Sequence, residues 1–354
     1  MSDTTMSSDI IDSEQQTPGD SLPLISVVMP AYNAAPFIGE AIQSVLNQTL
    51  RQFELIIIDD GSNDGTGDIA HDYAAQDSRI RVIPGEHKGA GHAMNLGIEV
   101  ARADWVAVMH SDDVALPQRL ERQYEAAQQQ PEVVIWGTDG YHINAKGEVL
   151  SHFRVGPLTV EECQAEREKN RVVQCIHPTV LLRRDVLQAV GGYDPTLRVC
   201  EDIELFDRMM VHGPLVTIPE PLLGYRIHGS SLSMKHYFEQ LTLSHFVSAR
   251  QQHRQETGEE LLLEDFRKQV HNKSRWWLLN EKRRQAAGMY YRHAGLAYGE
   301  NKPLALVGYL LLSLMFSPLY PIKRLRLQFA GTGLLRFRHR QQVTDAEEQA
   351  RIDG

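Results

Sequence analysis

Three pairs of carboxylates stand where apolar runs give way to loops. They are Asp59–Asp60 in IIIDDGSNDGT, Asp112–Asp113 in VAVMHSDD and Glu201–Asp202 in CEDIEL. A carboxylate can accept hydrogen bonds from a base or ribose, hold a divalent cation together with substrate phosphates, or take the proton of an attacking hydroxyl. Converged at one edge of a sheet, three such stations would hold a nucleotide, a cation and an acidic base. That is the equipment for moving a sugar off a nucleotide diphosphate.

The elements that must position them alternate strand and helix. Residues 24–29 and 53–58 are short apolar runs with the β-branched content of strands buried on both faces. Between them PFIGEAIQSVLNQ has Pro36 as a first-turn proline and apolar residues at helical spacing. The pattern then predicts a helix over 64–73, a strand over 79–83, a helix over 89–101, a strand over 105–109, a helix over 117–129 and a strand over 133–136. Such alternation implies an α/β fold with a doubly wound, mostly parallel sheet, whose ligands sit beyond the carboxyl ends of the strands. Past Tyr141 the pattern loosens, with helices expected over 159–168 and 202–211 and strands over 179–182 and 222–226. From about Leu232 helix-formers dominate. The expected division is a leader over 1–22, a catalytic domain over 23–234 split at residue 143 into a nucleotide half and an acceptor half, and a helical region over 235–354.

Composition narrows the classes. A chain of 354 residues, 42% hydrophobic and 23% charged, reads as soluble and globular with roughly two domains. A formal charge of −10 argues against a nucleic-acid partner. Cys163, Cys175 and Cys200 are too few and wrongly spaced for a disulfide framework or a zinc site. The segment MSDTTMSSDIIDSEQQTPGD carries five acids, no Lys or Arg and no apolar core, so it reads as a disordered leader rather than a signal peptide, and the expected location is cytoplasmic.

Each station also has a plain explanation. DDGSNDGT is rich in turn residues. A calcium loop would match at Asp60, Ser62, Asp64 and Gly65 but needs a Glu where His71 stands. With PAYN before it, where Tyr32 offers a stacking surface, the station suits a nucleoside better. HSDD could be a solvated surface turn, but it ends a strand on the same sheet edge. Neighbouring side chains on an extended segment diverge, which favours Asp112 as the direct cation ligand. Glu201–Asp202 could simply suit the positive end of a helix. As chemistry, a carboxylate of this pair would take the proton of an acceptor hydroxyl, and the glycines of VGGYDP before it would let backbone approach a ligand closely.

In order, SVVMPAYNAAPFIGEAIQSVLNQTLRQFELIIIDDGSNDGT, GAGHAMNLGI, HSDD, VGGYDP, EDIELFDRM and YRIHGSSLS resemble the family 2 glycosyltransferases of the GT-A fold, over about 60% of the chain. The resemblance implies inverting transfer from a nucleotide-sugar, most often a UDP-sugar, assisted by Mg²⁺ or Mn²⁺. It assigns Tyr32 and Asp60 to the base, Asp112 to the metal and Asp202 to the general base. Around these, Pro30, Asn33, Asp59, Lys88, Asn95 and Ser111 complete the nucleotide-binding candidates. Asp113 and His228 are further metal candidates, and Gly191, Gly192, Glu201 and Arg226 candidate contacts to diphosphate or acceptor. Two departures stand out. His110 occupies a place where members often carry an acid, and Met94 stands where an Arg is common, so a cationic diphosphate contact would fall to Lys88 or Arg226.

Two rival functions leave weaker marks. A nucleotidyltransferase would favour a basic residue in the loop after the first strand, yet PAYNAAPF has none and the next cation is Arg51. A non-catalytic relic would have lost the metal acid or the base. The acceptor, a carbohydrate or lipid-linked hydroxyl by analogy, is carried by no motif. Residues 301–344 contain seven Lys or Arg and no acid, and residues 304–322 are uncharged. That run suits a helical hairpin with YYRHAGLAY, buried or docked on a membrane, or a span interrupted by Pro318 and Pro321. The basic stretch suits peripheral contact with an anionic inner leaflet.

Overall fold

The computed structural model describes residues 22–322, apart from 170, 229–235 and 301, together with residue 324. One nine-stranded sheet organises the first two thirds of the chain. In chain order its elements are β1 (Ile25–Ala31), α1 (Ala35–Leu46), β2 (Phe53–Asp59), α2 (Thr66–Ala74), β3 (Ile80–Pro84), α3 (Ala90–Glu99), β4 (Trp105–Val108), β5 (Val114–Ala115), α4 (Arg119–Gln129), β6 (Ile135–Ile143), β7 (Val149–Phe153), α5 (Val160–Glu168), β8 (Leu181–Arg183), α6 (Arg184–Ala189), α7 (Glu201–Met209) and β9 (Leu215–Arg226). The strand order is β3-β2-β1-β4-β8-β6-β9-β5, with β7 beside β6. The ladders joining β3, β2, β1 and β4 are parallel, as is the long β6–β9 pairing. Antiparallel ladders are short, two to four residues each, and lie in the second half. The mostly parallel α/β sheet is thus as the sequence implies.

Burial on both faces explains the unbroken apolar runs. Val27, Met29, Leu55 and Ile57 pack with α1 (Ile38, Ala41, Ile42) on one side. Val28, Ile56, Ile58, Val106 and Val108 pack with α3, α6 and α7 on the other. Deeply buried Leu55–Ile58 would each contribute about 1.5–3 kcal/mol of burial free energy relative to exposure. Glu54 in the same strand is equally buried. Its carboxylate accepts from the Ser26 hydroxyl (2.7 Å) and from Arg102 N–H (2.8 Å), which ties β1, β2 and the α3–β4 turn together.

The second half departs from its sequence pattern. β6 runs on to Ile143, β9 begins at Leu215, and β7 and the two-residue β5 carry no periodicity strong enough to read. These strands are set by tertiary pairing rather than by local preference. α8 (Tyr237–Thr257) and α9 (Leu263–His271) follow, and a small core of Val199, Leu243, Phe246, Val247 and Phe266 joins them to the segment before α7. α10 (Arg275–Gly299) and α11 (Pro303–Phe316) form the expected hairpin. Its crossing uses small residues: the buried Ser313 hydroxyl donates to the Ala287 carbonyl at 2.8 Å. No helix among the described residues is long and apolar enough to cross a membrane. Residues 1–21 of the leader, the boundary near Met234, the GSSLS segment, Lys323 and the basic stretch beyond Arg324 lie outside the described residues.

Candidate active site

The loops after β1 and β2 are stitched to each other. Asn33 takes a left-handed backbone (φ 48°). Its N–H donates to Ser62 Oγ, and its own Oδ1 accepts from Asn63 N–H, both at 3.0 Å. Ala34 N–H donates to Thr66 Oγ1 (2.8 Å) and Ala35 N–H to Asp64 Oδ2 (3.1 Å). Asp59 Oδ1 accepts from Ser62 N–H at 3.1 Å. Asp60 is buried, and its two oxygens accept from Lys88 N–H (3.1 Å) and Gly89 N–H (2.8 Å), fixing the start of α3. Tyr32, half exposed, lies 4.5 Å from the His87 ring, so two aromatic rings line this end of the sheet. Sequence reasoning passed over His87, whose only signal is an aromatic ring just beyond β3. The Lys88 ammonium turns to Glu86 at the surface.

HSDD follows β4 as a turn rather than as strand. Alternation therefore fails here, and the expected divergence of Asp112 and Asp113 is not found. One ligand atom each from His110, Asp112 and Asp113 lies within 4.8 Å of the others. Asp113 is 1% exposed; its Oδ1 accepts from Arg226 N–H at 2.7 Å, and its Oδ2 has no hydrogen-bond partner. Burial and the neighbouring Asp112 push the Asp113 carboxyl well above the usual range, against the opposing pull of Arg226 and Arg119. Burial also disfavours a charged Asp112, but the His228 hydrogen bond (Nε2 to Oδ2, 2.9 Å) and His110 outweigh it and hold Asp112 below its usual value. An orphaned buried carboxylate oxygen beside a second carboxylate and an imidazole fits a divalent cation, whose charge would remove the penalty.

His110, partly exposed, leads into a buried pair. Its Nε2 lies 3.1 Å from His177 Nδ1, and His177 Nε2 lies 2.7 Å from the Tyr193 hydroxyl. Burial lowers both imidazoles, His110 to about 4 and His177 to about 3, so both are neutral near pH 7. Arg226 is almost wholly buried beneath the turn. Nε donates to the Asp112 carbonyl (2.7 Å), Nη1 to the carbonyls of Asn144 and Ala145 (both 3.1 Å), and Nη2 to Glu40 (2.6 Å). Four of its five N–H groups are thus engaged, and its main work is holding the turn after β4.

α7 presents the third station. Gly191 and Gly192 both take left-handed backbones (φ 83° and 70°). A Cβ on Gly192 would lie 2.5 Å from Asn95 Oδ1. The Asn95 amide reaches across to it: Nδ2 donates to the Tyr193 carbonyl and Oδ1 accepts from Tyr193 N–H, both at 2.8 Å. Asn95 thus holds the glycine turn against α3, while Met94 beside it is buried in the core. Ser111 is buried at the turn. Glu201 Cγ lies near α3, at 3.8 Å from where a Cβ on Gly91 would stand. Burial, and then the Asp202 charge, push Glu201 up to about 8. Burial likewise raises Asp202, opposed by the N–H of Ile203 and by the nearby His110. Asp202 and His110 lie near enough to influence each other's charge, and α3 joins the first station, through Gly89, to the third, through Asn95.

The comparisons agree with this architecture. Residues 26–191 match the family model described as Glycosyl transferase family 2. The glycosyltransferase GlyG of Streptococcus pneumoniae is 34% identical over 149 residues, 42% of this chain and 50% of that protein. The putative teichuronic acid biosynthesis glycosyltransferase TuaG of Bacillus subtilis is 32% identical over 216 residues, 60% of this chain and 82% of that protein. The match thus spans half of one relative and most of another. The chain belongs to glycosyl transferase family 2. Its fold is shared by S. aureus TarS residues 1–349, solved with UDP-GlcNAc (TM-score 0.52, 15% identity, 86% of this chain and 92% of that one). It is also shared by the mannosyltransferase PcManGT of Pyrobaculum calidifontis, solved with GDP-Man and Mn²⁺ (TM-score 0.51, 16% identity, 84% and 87%).

Proposed function

We propose that this glycosyltransferase is an inverting, cation-assisted enzyme that moves a sugar from a nucleoside diphosphate of the UDP type to a hydroxyl of a carbohydrate or lipid-linked acceptor. The observation that carries the proposal is the unpartnered, buried Oδ2 of Asp113, grouped with His110 and Asp112 beside Asp202. The acceptor oxygen attacks the anomeric carbon, the bond to the diphosphate oxygen breaks, and the hydroxyl proton passes to the Asp202 carboxylate. A raised Asp202 is a stronger base than an ordinary aspartate, and its place on a rigid helix start supplies positioning. A cation held by Asp112, Asp113 and His110 would offset charge on the leaving diphosphate. Tyr32 and His87 offer the base a stacking surface. TarS supports UDP and PcManGT supports Mn²⁺ with GDP, and the teichuronic acid relative favours a polysaccharide or glycolipid product.

Release of nucleoside diphosphate from a panel of UDP- and GDP-sugars, with Mn²⁺ or Mg²⁺ and with chelator, tests this. UDP release that chelator abolishes is expected. Conversion of the donor, with added pyrophosphate, to nucleoside triphosphate and sugar 1-phosphate would indicate a nucleotidyltransferase, and no release from any donor would indicate a relic.

For location we propose a cytoplasmic enzyme attached peripherally to the inner face of a membrane. Leu304, Val307, Leu311 and Met315 leave an apolar stripe of α11 exposed, just before the basic sequence 323–340. Release from membranes by high salt is the expected fractionation; a wholly soluble protein would refute attachment.

A further inference from the structure

We propose that His110 ligates the cation through Nδ1, and that the buried His177–Tyr193 pair behind it makes the site prefer Mn²⁺ and later transition ions to Mg²⁺. The inference rests on the cation-assisted reading above. It starts from geometry: Nε2 of His110 is engaged by His177 Nδ1 at 3.1 Å, and His177 Nε2 by the Tyr193 hydroxyl at 2.7 Å. The proton order Nε2–H of His110 to His177, then Nε2–H of His177 to the Tyr193 oxygen, leaves the Nδ1 lone pair of His110 free. That nitrogen lies 3.6 Å from the Asp113 oxygen that has no hydrogen-bond partner. A shared cation would separate and satisfy both atoms.

Histidine ligands are commonly oriented in this way by a partner on the second ring nitrogen, and loss of that partner lowers metal affinity about 10–100-fold. Imidazole suits later transition ions, whereas Mg²⁺ favours an all-oxygen shell and dehydrates reluctantly. An acid at position 110 would give such a shell. The imidazole here supplies a neutral nitrogen and one negative charge fewer. His177 and Tyr193 are positioning residues, since they act only through His110. They are 9% and 1% exposed, so water does not compete for their hydrogen bonds.

The test uses the full chain with UDP and Mn²⁺, read by pulsed electron paramagnetic resonance for nitrogen coupling to the metal. Imidazole coupling is expected in the wild type and in His228→Ala, and is expected to vanish in His110→Asp and His110→Ala. Displacement of Mn²⁺ by Mg²⁺ should become easier in His110→Asp. His177→Phe should weaken Mn²⁺ binding about 10–100-fold, with a smaller loss for Mg²⁺. Coupling that survives in both His110 variants, or an unchanged Mn²⁺ to Mg²⁺ ratio, overturns the proposal. Coupling lost in His228→Ala instead would move the ligand to His228 and overturn it equally. A wild type that binds no Mn²⁺ at all would overturn the cation-assisted reading itself.

Discussion

The acids after β2 and the acids after β4 look alike in sequence and differ in what the fold does with them. Asp60 and Asp64 spend both oxygens, and Asp59 one, on nearby backbone N–H groups. Asp64 is held below its usual range despite slight burial, through Thr66 and the N–H of Ala35. Asp113 has an oxygen with no partner, and Asp113, Glu201 and Asp202 are all pushed upward by burial. A carboxylate that backbone donors satisfy is a structural clamp. One left short of donors in a poorly hydrated place is a site for a cation or a proton. Substitutions should therefore separate the two groups, the first losing stability and the second losing chemistry.

The largest effect is expected at Asp202. Asp202→Asn should lower transfer about 10²–10⁴-fold, the usual contribution of a general base, with donor binding and melting temperature little changed. Near-full transfer in that variant would place the base elsewhere. Next comes Asp113→Asn, which keeps the shape and removes the charge that waits for a cation. Transfer should drop by at least about 10–100-fold, the loss that even outer partners of metal ligands produce. Isothermal titration should show weaker Mn²⁺ binding while thermal stability holds. A large loss of stability with cation binding intact would make Asp113 another clamp and erase the contrast.

Asp60→Ala belongs to the other side. Two N–H groups at the entry to α3 would lose their acceptor, at about 1–3 kcal/mol for each one left without water. Chemical denaturation should show that loss, and any fall in transfer should track the disordering of the 84–89 loop. Unchanged stability with abolished UDP binding would instead make Asp60 a direct nucleoside ligand.

How far the sequence discloses this contrast follows from the same residues. The strand runs and helix faces from 24 to 143 are legible because burial on both sheet faces demands continuous apolar strands. The three stations are legible because each ends such a run. Their division into clamps and reactive groups is not, since DDGSNDGT and HSDD differ only in what lies opposite. Asp60 meets Lys88 and Gly89, whereas Asp113 meets the backbone of Arg226, 113 residues away. The His110–His177–Tyr193 chain joins residues 67 and then 16 apart, with no periodicity to announce it. β5, whose pairing with β9 brings Arg226 under the HSDD turn, is two residues long.

The smallest effect sharpens the comparison at Glu201. Burial and the neighbouring Asp202 raise this carboxyl from the usual 4.5 to about 8. Between those values the folded protein keeps a proton that the unfolded chain has released. The resulting stabilisation is fully present below about pH 4.5 and is lost as pH rises through about 8. Glu201→Gln cannot titrate and should remove this slope. Relative to wild type it should gain on the order of 1 kcal/mol between pH 5 and pH 8, less than the full shift would give because Asp202 titrates with it. Paired denaturation curves at the two pH values measure the difference. Parallel pH slopes for Glu201→Gln and wild type would mean that the acid pair before α7 is hydrated, and that Asp202 lacks the raised basicity its role requires.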